Sequence, residues 1–149
     1  MTLAVTLSLS LFFVTVLIHY EGLRLVSREL RAFSSWQSRN KMLLIILWIF
    51  LIHIVEISIY AFTFWFADII VDIGSFAGAR DTGMFDYFYF SAEAFTTLGL
   101  GDIYPIGPVR LLASIEPLNG LILIGWSTSF TFLSMQRYWF SDKRDAGKP

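Results

Sequence analysis

The chain has 149 residues, 56% of them apolar and only 15% charged, and its mean hydropathy of +0.64 is far above that of an ordinary soluble domain. A formal charge of −1 removes the basic surface that nucleic-acid binding requires, and the absence of cysteine excludes disulfides and thiolate metal sites. The composition predicts a chain that resides in a bilayer.

The first apolar run covers residues 3–18, extended by His19 and Tyr20 into the headgroup belt where such side chains are favoured. It is a little shorter than the roughly 20 residues that cross a hydrocarbon core. A signal peptide would carry a basic residue before Leu3 and a small-x-small cleavage site after Ile18. Neither is present, so a retained N-terminal transmembrane helix over 1–20 is expected. Residues 21–41 are basic. Arg24, Arg28 and Arg31 sit there among Ser27, Glu29, Ser34 and Ser35, whereas the arginines of a voltage sensor lie inside a spanning helix. The expectation is a cytoplasmic amphipathic connector able to touch anionic headgroups.

The second run, 42–67, is bounded by Arg39 and Lys41 before it and Asp68 after it. His53 and Glu56 lie near its middle, three residues apart and therefore on one helical face. A charge at the bilayer centre costs about 2.5–3.5 kcal/mol on insertion scales, so this face is expected to turn into the bundle. Its expected partners are the hydroxyls of Thr6, Ser8, Ser10 and Thr15 on the first span. A pH sensor or a His/Glu metal site is the alternative. Zinc usually takes three protein ligands or more, and the other imidazole, His19, is expected near the opposite membrane face, so no metal is expected here.

Between 68 and 108 the chain is first polar, passes Gly74, Gly78 and Gly83, and then becomes strongly aromatic from Phe85 to Phe90. Residues 85–96 would make a helix of about 18 Å, too short to cross the membrane but suited to a re-entrant helix. Non-helical backbone is tolerated at membrane depth only where protein buries it or where it lines a watery path. The following TTLGLGD, residues 96–102, fits the second case. Turning successive carbonyls toward one axis requires residues that alternate between right- and left-handed backbone, and Gly99 and Gly101 adopt the left-handed positions freely. Leu98 and Leu100 are then expected to point away from that axis and pack against the short helix.

The last run begins after Gly107-Pro108 and ends at Arg137, giving an inner helix over 109–136. Glu116 and Pro117 lie in its first half just before Asn119 and Gly120. Pro117 loosens the hydrogen-bond ladder and Gly120 allows a bend, which makes the pair a candidate gating hinge. Asn119, Ser127, Thr128 and Ser129 are candidates for a polar cavity lining. Lys and Arg orient the whole chain. Arg24, Arg28, Arg31, Arg39 and Lys41 lie between the first two spans, and Arg137, Lys143, Arg144 and Lys148 follow the third. The intervening segment holds only Arg80, with Arg110 just past it. The N-terminus is expected outside and the C-terminus in the cytoplasm, with the plasma (inner) membrane as the location. The tail after Arg137 is about a dozen residues, too few for a ligand-binding domain.

Residues 88–105, FYFSAEAFTTLGLGDIYP, resemble the pore helix, selectivity filter and outer mouth of the potassium channel superfamily. Arg110, Gly120 and Gly125 fall where two-helix bacterial members have the start of the pore-lining helix, its hinge glycine and a later small residue. The resemblance implies an all-α membrane protein with three transmembrane helices, a re-entrant pore helix and a selectivity-filter loop. Four copies would form the pore, because one chain offers one loop to a fourfold ring of carbonyls. The implied filter is Thr97, Leu98, Gly99, Leu100 and Gly101, with K+ held at Thr97, Leu98, Gly99 and Leu100 and with Glu93, Thr96 and Asp102 as support. Glu93 and Asp102 match a carboxyl pair that shares a proton in some members. Leu100 departs from the aromatic residue commonest at its position.

The pore domain is thus expected over 42–149, with an outer helix at 42–67, a pore helix at 85–96, a filter at 97–102 and the inner helix at 109–136. The expected function is passive K+ conduction by a homotetramer in lipid, with no cofactor and no enzymatic activity. A non-selective cation channel of the same fold and a non-conducting regulatory subunit are the alternatives.

Overall fold

The computed structural model describes residues 2–32, 37–78 and 83–145, with the side chains of 31–32 and 139–145 left undescribed. Ser34, Ser35, Arg80 and Lys148 lie outside the described residues, as do the side chains of Arg31, Lys143 and Arg144. Three long helices carry the fold: α1 (Thr2–Ala32), α2 (Ser38–Trp65) and α4 (Val109–Asp145). The short α3 (Met84–Phe95) stands between α2 and α4. Each long helix is long and apolar enough to cross a membrane. Leu43, Leu47, Phe50, Leu118 and Leu133, each more than half exposed, are among the apolar side chains on their outer faces.

α1 does not end near Tyr20, and residues 21–32, expected as a connector, are helical. The reason is visible in the burial pattern. Ala4, Ser8, Leu11, Thr15, His19, Leu23, Val26 and Leu30 are buried at steps of three and four residues, one uninterrupted stripe along the helix. Arg24 and Glu21 pair on the exposed face at 3.2 Å. α2 carries a matching stripe at Met42, Ile45, Ile49, Ile52, Glu56, Tyr60 and Phe64. Leu23, Val26 and Leu30 pack against Met42, Ile45, Ile49 and Ile52, and the Trp48 indole donates to the Gly22 carbonyl at 2.9 Å. The two helices therefore run antiparallel. α1 packs against α4 of the same chain as well, through Asn119 Nδ2, which donates to Thr15 Oγ1 at 2.7 Å and to the Tyr60 hydroxyl at 3.0 Å.

α2 ends in a π-helical turn, Phe66–Ile70. Beyond it two short strands absent from the sequence expectations pair antiparallel: β1 (Ser75–Ala77) and β2 (Tyr104–Ile106), with Phe76 opposite Pro105. Pro105 is tolerated because the ribbon has only two strands and its missing N–H can face outward. The ribbon ties the segment after α2 to the segment before α4. Phe76 then enters the core, edge-to-face with Phe64, Tyr87 and Phe90 at centroid distances of 5.4, 5.3 and 5.0 Å. Such T-shaped contacts add about 0.5–1.5 kcal/mol each beyond area burial. They lock α3 against α2.

α4 continues unbroken through Pro117 and Gly120. Gly120 lies against the C-terminal end of α3, where any Cβ would run into the Phe95 backbone. Its smallness therefore serves close packing here, whatever bending it permits. Gly120→Ala must push α3 and α4 apart and is expected to lower stability by about 1–3 kcal/mol, the cost typical of overpacking, in thermal melts of the purified protein. Gly125→Ala, whose added methyl meets no atom within 4 Å beyond the backbone of its own helix, should leave the melting temperature unchanged or slightly higher.

Candidate functional site

The segment that carries the motif begins at the end of α3. The N-terminus of that helix is held by the Asp86 carboxylate, which accepts the Gly83 N–H at 2.8 Å. The Tyr87 hydroxyl donates to Asp68 Oδ2 at 2.7 Å. Burial and then Asp68 push that phenol well above its ordinary range, so it stays a donor. In the middle, Ser91 Oγ lies 2.6 Å from Glu116 Oε1 of α4 and 2.9 Å from the Ile57 carbonyl of α2. These contacts fix the helix against both neighbours before the chain turns into the motif.

The turn is a Schellman motif. Thr97 adopts φ +60, its N–H bonds the Ala94 carbonyl at 3.0 Å, and the Leu98 N–H bonds the Glu93 carbonyl at 2.8 Å. A left-handed threonine costs about 1–2 kcal/mol, and the two hydrogen bonds offset it. The same handedness recurs at Gly99, φ +58, and Gly101, φ +80. The glycine expectation covers two of the three left-handed residues, and Thr97 is the one it missed. Left-handed backbone at every second residue from 97 to 101 is the alternation that lets successive carbonyls face one side. Thr96 closes the helix end with its hydroxyl on the Ala92 carbonyl at 2.7 Å.

Two arrangements in this segment of the single chain differ from the simplest expectation. Leu98 and Leu100 do not pack against α3 of their own chain, since each is 63% exposed. A cleft of about 630 Å³ lies behind the motif, lined by Phe90, Glu93, Ala94, Gly99, Gly101, Ile103, Tyr104 and Arg110 among others. Glu93 and Asp102 do not hydrogen-bond to each other either. Glu93 Oε2 accepts the Leu100 N–H at 3.2 Å, and its Oε1 is buried with no partner. Asp102 accepts its neighbour's Ile103 N–H at 3.1 Å and the Tyr89 hydroxyl at 3.1 Å. The Glu93 carboxyl, then burial, then Asp102 push the Tyr89 phenol well above its ordinary range. A tyrosine that remains a donor thus stands between the two carboxyl groups, an intermediary that the sequence reading did not name.

The polar residues of the membrane interior also find partners other than those expected. Thr6, Ser8 and Thr15 turn their hydroxyls back onto the Leu3, Ala4 and Leu11 carbonyls of α1. Glu56 instead receives two imidazoles, His19 Nδ1 at 3.0 Å on Oε1 and His53 Nδ1 at 2.9 Å on Oε2. Both rings present Nε2 to Ser127 Oγ of α4, at 3.3 and 3.1 Å. His19 is therefore beside His53 and Glu56 and not at the opposite face. Ser127 and Asn119, expected as cavity lining, face the interior of the bundle, while Thr128 and Ser129 are exposed and bond their own helix backbone. The signal was available. With α1 and α2 antiparallel and Gly22 facing Trp48, position 19 comes opposite the low fifties. Ending the first helix at Tyr20 concealed it.

The Leu100 amide depends on Glu93, whose side chain is 4% exposed. Glu93→Ala leaves that partly buried amide without its acceptor, a loss of about 1 kcal/mol. Thermal melts should show that loss, and Glu93→Gln, which keeps a carbonyl oxygen in place, should recover most of it.

Comparison with known proteins supplies a family. Residues 42–137, most of the chain, match the family model described as an ion channel, spanning α2, α3, the Thr97–Gly101 segment and α4 up to Arg137. No curated protein and no solved structure matches the chain. A re-entrant helix that ends in backbone of alternating hand, set between two spanning helices, is what that family match covers. The chain belongs to the ion channel family, its pore unit preceded by an additional N-terminal helix.

Proposed function

We propose that this chain is one subunit of a homotetrameric, potassium-selective channel in which Thr97, Leu98, Gly99, Leu100 and Gly101 form the filter. The observation that carries the reading is the left-handed backbone at Thr97, Gly99 and Gly101, which begins in the Schellman turn of α3. Four such segments around an axis would replace the hydration shell of K+ with rings of carbonyl oxygens. The ions would sit between the oxygens of Thr97, Leu98, Gly99 and Leu100. Glu93, Thr96 and Asp102 support the segment from behind. The C-terminal end of α3 directs its partial negative charge toward the cavity below.

The tetramer accounts for features that a single chain leaves open. Leu98 and Leu100 are large apolar side chains exposed beside a cleft, and neighbouring subunits would bury them. The basic residues between the first two spans and after the third support an N-terminus outside and a C-terminus in the cytoplasm of the plasma (inner) membrane. Pro117 removes one ladder bond from α4 three residues before Gly120, which supports a gating hinge there. No cofactor is required beyond the permeant ion.

A non-selective cation pore is the second reading, favoured by Leu100 alone. A leucine offers no ring edge or hydroxyl to brace the filter diameter. The deciding measurement is ion efflux from proteoliposomes containing the purified protein. Potassium flux without sodium flux, abolished by Gly99→Ala, is the expected result, because alanine is strained at φ +58. Equal sodium flux would establish the non-selective pore. No flux from a correctly assembled tetramer would leave a regulatory subunit.

A further inference from the structure

The buried cluster of His19, His53, Glu56 and Ser127 has no part in the filter reading. Its composition is unusual for a membrane interior, where an ionisable residue is costly and three within one contact shell need a common reason. His19 and Glu56 are fully buried and His53 is 17% exposed. The potential ligand atoms of His19, His53 and Glu56 all lie within 4.8 Å of one another. Two imidazole nitrogens and a carboxylate converging in this way make the ligand set of His/His/Glu zinc sites that keep a fourth position open. The two nitrogen–oxygen separations of 3.0 and 2.9 Å approach the edge of about 3.3 Å expected between ligands around a tetrahedral ion bound at 2.0–2.1 Å.

Counting hydrogens favours a cation over a ring of hydrogen bonds alone. Four contacts link Glu56, His19, Ser127 and His53 into a closed circuit. Two neutral imidazoles and one hydroxyl supply only three hydrogens, so one contact would set two lone pairs against each other unless a further proton is captured. A cation bound to both Nδ1 atoms and to the carboxylate removes two of the four contacts. Each ring then carries its hydrogen on Nε2 and donates it to Ser127 Oγ, which has two lone pairs to accept them. That is the outer-shell arrangement typical of metal-ligating histidine. Trp126, 5.4 Å from the His19 ring, and Phe95, 5.6 Å from the His53 ring, wall the rings and limit their rotation. A groove of about 490 Å³, lined by His53, Ser127, Ile124, Thr128 and Thr131 among others, gives access from one side.

We propose that His19, His53 and Glu56 form a binding site for a first-row divalent transition ion, zinc being the best match. The bound ion clamps α1 to α2 and, through the two Nε2–H donations to Ser127, both of them to α4. Borderline-soft ions suit imidazole nitrogen with a single carboxylate, whereas calcium and magnesium prefer oxygen ligands throughout.

The test uses the full-length protein purified without a polyhistidine tag, stripped with chelator and titrated with cobalt(II), then with zinc. One cobalt per chain is expected, with the intense visible absorption of a four- or five-coordinate site, displaced stoichiometrically by zinc. Glu56→Gln and His53→Gln should each weaken binding by a factor of about ten or more, as loss of even an outer-shell partner commonly does. Zinc should raise the melting temperature of the native protein and not that of Glu56→Gln. The native titration needs no variant to fold, and none of these readouts depends on conduction. Absence of cobalt uptake by the native protein, a weak six-coordinate spectrum, or uptake unchanged in a folded Glu56→Gln protein would overturn the site and leave a proton-bridged ring.

Discussion

The register of the three long helices is set by polar groups that have no water to turn to. His19 on α1, Glu56 on α2 and Glu116, Asn119 and Ser127 on α4 all sit on buried stripes, at positions an ordinary apolar seam would fill with leucine. Between apolar helices in lipid there is little hydrophobic force to choose one sliding position over another. A polar group left without a partner there costs several kcal/mol, so shifting α1 by one turn along α2 would be penalised at His19 and again at Thr15. The Glu56 circuit, the Asn119 pair of donations and the Ser91–Glu116 contact act as three pins at different depths. Breaking a buried charged pair by deleting one member typically costs about 3–5 kcal/mol, which is large beside the whole stability of a small domain.

The same constraint shapes the segment after α3. Helix ends leave four carbonyls unsatisfied, and at membrane depth water cannot be assumed. The Schellman turn satisfies two of them with the amides of Thr97 and Leu98. The Leu100 amide turns outward to Glu93. With these N–H groups engaged away from one side, the carbonyls of the segment are the groups left available on the other. A cation is what such an array of oxygens can bind, and the arrangement follows from where the amides are spent.

Much of this was legible in the sequence, for identifiable reasons. The three spans follow from apolar length, and the motif from two glycines placed one residue apart after paired threonines. The short helix follows from an aromatic run too brief to cross a bilayer. What escaped is non-local. The β1–β2 ribbon joins residues about thirty apart and three residues per strand is too short for any periodic signal. Left-handed Thr97 is stabilised by its hydrogen bonds and not by its own preference, so residue type conceals it. The placement of His19 was lost through one boundary. An amphipathic pair after an apolar run reads as a headgroup anchor, yet the buried stripe of α1 continues in step through Leu23, Val26 and Leu30. Following the stripe in place of mean hydropathy brings His19 opposite Glu56.

α4 is where these separate devices meet. Its buried stripe presents Glu116 to Ser91 of α3, Gly120 to the Phe95 backbone, and Ser127 to the two histidines. The eleven residue steps from Glu116 to Ser127 span about 16 Å of helix. A rigid tilt of α4 therefore cannot move one contact and spare the rest. The Gly120 approach leaves no room toward α3, and Glu116 is already hydrogen-bonded to it, so the first half of α4 moves with the short helix. Motion independent of α3 is confined to the part beyond Gly120, which Ser127 ties to α1 and α2 by hydrogen bonds and Phe130, Met135 and Tyr138 tie to them by packing. The extra N-terminal helix consequently meets α4 at two depths, at Asn119 through Thr15 and at Ser127 through His19.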